Sequence, residues 1–159
     1  SLALNVENIK KDLEKSTSGL DDLKTVTETV AFNVMDAVSY TGTKPIIFSN
    51  ILLNDGNAYN NVTGIFTAPT TGIYQFNAHV CGLKSAEDIE YYIKVGSNVI
   101  VTGEFEVPER ATDTKCTSFS AVALARKGDH VLVGGSEFSK LDYEENDLSS
   151  FSGVLIRAV

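Results

Sequence analysis

The residues able to do chemistry are few in this chain. It has two cysteines, Cys81 and Cys116, two histidines, His79 and His130, and two acid-rich stretches. Two thiols are too few for a disulfide framework or a zinc site, but they suffice for one bridge. His79 closes a strand-like run and His130 follows a turn. No serine lies in a Gly-x-Ser-x-Gly turn, and neither a glycine-rich phosphate loop nor metal-type His/Cys spacing occurs. The sequence points away from an enzyme, and His79 reads as an interface or hydrogen-bonded structural histidine.

Binding chemistry is better represented. Glu104, Glu106, Glu109 and Asp113 cluster in one stretch; Asp142, Tyr143, Glu144, Glu145, Asn146 and Asp147 cluster in another. Carboxylate and amide oxygens suit a hard cation such as calcium. The same stretches also read as solvated acidic loops. In the second, Tyr143 could stack on a sugar face while Asp and Asn side chains take the hydroxyls, which is the chemistry of a lectin. Asn61-Val62-Thr63 is an N-glycosylation acceptor pattern.

The whole chain narrows the partners. Its 159 residues carry 13 basic and 21 acidic side chains, a formal charge of −8. That argues against nucleic acid and against anionic membranes, which both need clustered Lys or Arg. It permits divalent cations or basic proteins as partners, and it equally keeps a protein soluble. No apolar run approaches the roughly 18–20 residues of a membrane-spanning helix. The chain opens on Ser1, as a mature form or a fragment would, so the missing leader says nothing about secretion.

Two kinds of element must position these groups. Over residues 1–28 the apolar residues Leu2, Val6, Ile9, Leu13, Leu20 and Leu23 follow a spacing of four and three, with Val30 extending it. Ser16 and Thr27 fill the remaining seam positions. This predicts a helix with a coiled-coil seam; a single amphipathic helix packed on its own domain is the alternative. Gly19 and the cluster Ser16-Thr17-Ser18 weaken its middle.

From residue 29 onward helical periodicity disappears. Tyr74, Phe76, Ala78 and Val80 alternate with Gln75, Asn77 and His79, after a Pro69–Gly72 turn. Period two predicts a strand with one buried face. Phe32, Val34 and Val38 are expected on one face of an earlier strand. The stretch from Gly103 to Asp113 reads partly as loop. Turn signals every 8–12 residues predict an all-β sandwich or jelly roll of about eight to ten strands. Residues 119–125 and 151–156 are apolar on both faces, so Val122 and Leu124 need a cover that subunit association can supply.

Gly64-Ile65-Phe66-Thr67-Ala68-Pro69, Gly72-Ile73-Tyr74-Gln75-Phe76 and His79-Val80 together resemble the signature of the globular C1q domain. Pro45-Ile46-Ile47-Phe48, Asn54-Asp55-Gly56 with Tyr59, Lys127-Gly128-Asp129-His130-Val131 and Phe151-Ser152-Gly153-Val154-Leu155 agree in order. The resemblance covers residues 29–159. It implies a ten-stranded jelly roll of the C1q and tumour necrosis factor superfamily, secretion, and a homotrimer. Gln75, Asn77 and His79, with Val122 and Leu124, would line its subunit interface. It implies recognition of carbohydrate or microbial surfaces, as in innate-immune pattern recognition; a signalling ligand or an extracellular metal carrier is the alternative. It places Glu109 and Asp113 near a loop that holds calcium in some relatives, although the spacing departs from theirs. It also makes the strands of Cys81 and Cys116 antiparallel neighbours, so that a disulfide can join them. No Gly-X-Y collagen repeat is present, and the heptads stand in its place.

Overall fold

The structure, a computed structural model, describes residues 2–26, 29–39, 44–82, 89–105, 115–135 and 148–159. Helix α1 spans Leu2–Val26. Among the described residues, ten strands follow in two antiparallel sheets. The first contains β1 (Ala31–Ser39), β2 (Ile47–Asp55), β5 (Gly72–Gly82), β8 (Lys115–Ala125) and β10 (Ser150–Ala158), in the order β2-β1-β10-β5-β8. The second contains β3 (Tyr59–Asn60), β4 (Ile65–Thr67), β6 (Ile89–Val95), β7 (Asn98–Phe105) and β9 (His130–Gly135), in the order β3-β4-β9-β6-β7. This is a jelly-roll sandwich, whose crossing connections carry the chain between layers.

The core between the layers is aromatic. Alternation in β5 buries Tyr74, Phe76, Ala78 and Val80 while Gln75 stays exposed. Phe32 from β1 stands 4.8 Å from both the Phe66 and the Phe151 ring centroids. Tyr74 and Phe76 stack at 5.7 Å. Edge and offset arrangements of this kind let ring quadrupoles attract as well as bury apolar area. Gly153 makes room for them: a Cβ there would come within 2.5 Å of Phe32 and 2.7 Å of Phe76. Tyr59 brings a hydroxyl into this core and satisfies it on β2. It donates to the Phe48 carbonyl at 3.2 Å and accepts from the Phe48 amide at 3.1 Å. Burial pushes its hydroxyl pKa up to about 12, against a smaller downward pull from the hydrogen bond with Phe48.

Several local expectations are corrected. Ala37, not Val38, is buried in β1; Val38 is 47% exposed. Asp36 adopts φ 60° and the β1–β2 register shifts just beyond it, which turns the following side chains over. The apolar run Ile51, Leu52 and Leu53 is exposed on β2, the edge strand that begins at Ile47. The stretch from Gly103, read partly as loop, is strand through Phe105, opposite Ile89, and residues 106–113 lie outside the described residues. Val30 joins the core at 3% exposure instead of extending the heptad, because α1 ends at Val26. Within the helix, Val6, Ile9 and Leu13 are 50–66% exposed.

Candidate functional site

The outer face of the first sheet gathers Gln75, Asn77, His79, Cys81, Cys116, Val122 and Leu124. β5 lies at its centre between β10 and β8. In register, Val154, Gln75 and Val122 form one row, and Ser152, Asn77 and Ser120 form the next. A third row holds Ser150, His79 and Ser118, and a fourth pairs Cys81 with Cys116. Leu124 sits opposite Ile73 at the other end. Val122 is 62% exposed, Leu124 48%, Val154 41% and Ile156 54%. One end of the face is thus apolar and the other is built from small hydroxyls and amides.

Charge is what this face lacks. From Gln75 to Cys81, Cys116 to Leu124 and Ser150 to Ile156, no outward position carries Asp, Glu, Lys or Arg. The chain as a whole is 21% charged. Depletion of charge is one compositional feature of interface cores.

Hydrogen bonding orders the polar end. His79 Nδ1 lies 2.7 Å from Ser118 Oγ, and His79 Nε2 lies 3.6 Å from Cys81 Sγ. The Gln75 amide donates to Asn77 Oδ1 at 3.4 Å. Asn77, His79, Ser118, Ser120, Ser150 and Ser152 line a shallow depression of about 330 Å³. The Ser118–His79 contact has a serine and a possible base, but the second ring nitrogen meets a sulfur where a triad needs a carboxylate. Cys81 and Cys116 are bonded, with an S–S distance of 2.08 Å and Cα atoms 4.0 Å apart. The Cys81 amide donates to Ser149 Oγ at 3.1 Å, which anchors the start of β10 beside the bridge.

The role of Ser118 escaped the sequence reading, although a signal existed. In an antiparallel pair, joining residue i to j places i−2 opposite j+2. Once Cys81 faces Cys116, His79 must face Ser118.

Other expected residues lie elsewhere. Asn61 is exposed in the turn spanning 61–64, and its amide donates to the Ser49 carbonyl at 3.1 Å. Asn60 Oδ1 accepts from the amides of Val62 and Thr63, which closes that turn. Glu109, Asp113 and the whole group Asp142, Tyr143, Glu144, Glu145, Asn146 and Asp147 lie outside the described residues. No helix among the described residues is long and apolar enough to cross a membrane.

Known proteins share this architecture. The family model for the C1q domain matches residues 31–156. Complement C1q and tumor necrosis factor-related protein 9 of Mus musculus is 30% identical over 115 residues, covering 70% of this chain and 33% of its own length. Complement C1q tumor necrosis factor-related protein 3 of Homo sapiens is 29% identical over 111 residues, covering 70% of this chain and 44% of its own. The chain therefore spans less than half the length of these curated relatives. Among solved structures, the globular domain of zebrafish Complement 1qA protein is similar with a TM-score of 0.67 at 21% identity, covering 83% of this chain and all of that one. Murine APRIL at pH 5.0 also reaches 0.67, at 14% identity, covering 80% of this chain and 99% of its own. At such identities the likeness is one of fold.

Proposed function

The chain belongs to the C1q-domain family, and we propose that it works as a secreted, non-enzymatic recognition protein whose domains associate as a homotrimer. The observation that carries the reading is the charge-free outer face of the β10-β5-β8 strands. Val122, Leu124, Val154 and Ile156 expose apolar area there, and Gln75, Asn77 and His79 supply groups that can pair with a neighbouring copy. Burying this face against two further copies removes apolar surface from water at roughly 25 cal/mol per Å². In this reading residues 1–28 are a separate unit, and the outward Val6, Ile9 and Leu13 form the seam of a coiled coil that brings the copies together.

The trimer gives the mechanism. Three weak sites on one rigid body bind a repetitive surface with an avidity beyond that of any single site. The ligand class in this proposal is carbohydrate, such as the glycan coat of a microbe. The contact residues are those of the acidic and aromatic run Asp142–Asp147, read from its side-chain chemistry. A glycan array probed with the full chain tests it. Binding to acidic or N-acetylated glycans that falls at least about tenfold in Y143A supports the reading. A stable trimer that binds no glycan contradicts the ligand class and favours a receptor-crosslinking ligand.

A further inference from the structure

The sequence spacing pointed to no zinc site, but the fold brings three metal-ligating atoms of His79, Cys81 and Cys116 within 4.8 Å of one another, and the disulfide occupies two of them. We propose that reduction of this bridge creates a binding site for a thiophilic metal ion, Zn²⁺ or Cu⁺, held by both thiolates and His79 Nε2. All three ligands come from one chain.

The geometry supports it at each ligand. A tetrahedral zinc with sulfur at about 2.3 Å and nitrogen at about 2.05 Å sets its sulfur and nitrogen ligands ~3.5 Å apart. Cys81 Sγ and His79 Nε2 already stand 3.6 Å apart. Once reduced, the two sulfurs are free to separate to ~3.8 Å, the tetrahedral edge for two thiolates. Cys81 is buried and Cys116 is exposed, so Cys116 can supply the movement by rotating its side chain outward. Both cysteines sit on paired strands, which keep the backbone fixed while the side chain turns.

Ser118 completes the argument. Metal-bound imidazoles characteristically donate their other N–H to an oxygen, which fixes the tautomer and aims the coordinating lone pair. Ser118 Oγ stands 2.7 Å from Nδ1 and can accept that hydrogen. Nε2 then directs its lone pair toward the sulfurs. Three protein ligands leave the fourth position open on the exposed Cys116 side, for water or an exogenous ligand.

The redox step balances with a dithiol as reductant. One thiolate of the dithiol attacks the exposed Cys116 sulfur. The protein S–S bond breaks, a mixed disulfide forms, and Cys81 leaves as thiolate. The second thiol of the reductant displaces Cys116 and closes its own disulfide. Two electrons have passed to the protein, and metal binding releases the two thiol protons to solvent.

Cobalt(II) is the probe, added to the full chain after reduction by a water-soluble phosphine, which ends as its oxide. The expected result is one Co²⁺ per chain, with thiolate-to-cobalt charge-transfer bands and tetrahedral ligand-field bands that Zn²⁺ abolishes. C116S should lose these bands, H79A should weaken binding more than about tenfold and alter the ligand-field bands, and S118A should weaken it about tenfold. A reduced, folded chain without the bands overturns the proposal, as does H79A indistinguishable from the parent. If reduction unfolds the domain, stoichiometric Co²⁺ should restore its β-sheet signal; failure to do so also overturns it.

Discussion

The two sheets share one core but turn opposite characters outward. The second sheet shows Glu90, Lys94 and Glu104 on its outer face, with Tyr92, Val99, Thr102 and His130 among them. The first sheet shows serines, amides and exposed aliphatics, with no charge from Gln75 to Cys81 or from Cys116 to Leu124. Both faces come from the same period-two alternation, so strand geometry does not explain the difference. A charged outer face is stable in water by itself. An aliphatic and hydroxyl face on strands that are apolar inward as well is suited to cover by another copy.

The largest expected effect falls on that contrast. L124E places a carboxylate on the charge-free face, where in the proposed trimer an unpaired buried charge costs several kcal/mol. The protein should sediment as monomers, while the matched change T102E on the second sheet should leave assembly untouched. Equal loss in both variants would erase the distinction between the faces.

A second pair of substitutions compares how each sheet tolerates volume. In G153A the new methyl meets Phe32 and Phe76, rings held in the core. The expected loss is about 2–3 kcal/mol in urea unfolding, the upper range for overpacking. In G134A the methyl meets the Tyr92 ring at 2.7 Å, on the outer face of the second sheet. That ring is only partly buried and can swing aside, so the cost should stay under about 1 kcal/mol. A larger cost for G134A would mean that Tyr92 is held as tightly as the core rings.

A further effect concerns pH. Tyr59 has its hydroxyl pKa raised from 10.0 to about 12 by burial. The folded state holds this proton more tightly than the unfolded state. Its contribution is therefore complete below pH 10 and is lost as pH rises from 10 to 12, by on the order of 2–3 kcal/mol. In Y59F the alkaline loss of stability should be shallower by that amount, while neutral-pH stability falls by about 1 kcal/mol for the lost hydrogen bonds. Identical alkaline profiles in parent and Y59F would show that the hydroxyl ionises equally in both states.

The β5 strand was the most legible part of the molecule. Tyr74, Phe76, Ala78 and Val80 alternate strictly, and all four are buried. Val122 and Leu124 were legible as outward residues for the same reason. Alternation misled wherever the backbone broke its own period. The left-handed turn at Asp36 exchanged Ala37 for Val38, and no side-chain pattern announces a bulge. Hydrophobicity alone does not mark the core at Ile51, Leu52 and Leu53, because an edge strand can show its aliphatics outward. Of the polar groups, His79 stood out by type, whereas Ser118 is one serine among many and gains meaning only from the register that faces it to His79.

Sedimentation velocity of the full chain beside L124E tests the central claim most directly. The account predicts a species of three times the 17.1 kDa chain mass for the parent and a single-chain species for L124E. A monomeric parent, or an L124E variant that remains a trimer, would contradict the assignment of the charge-free face as the subunit interface.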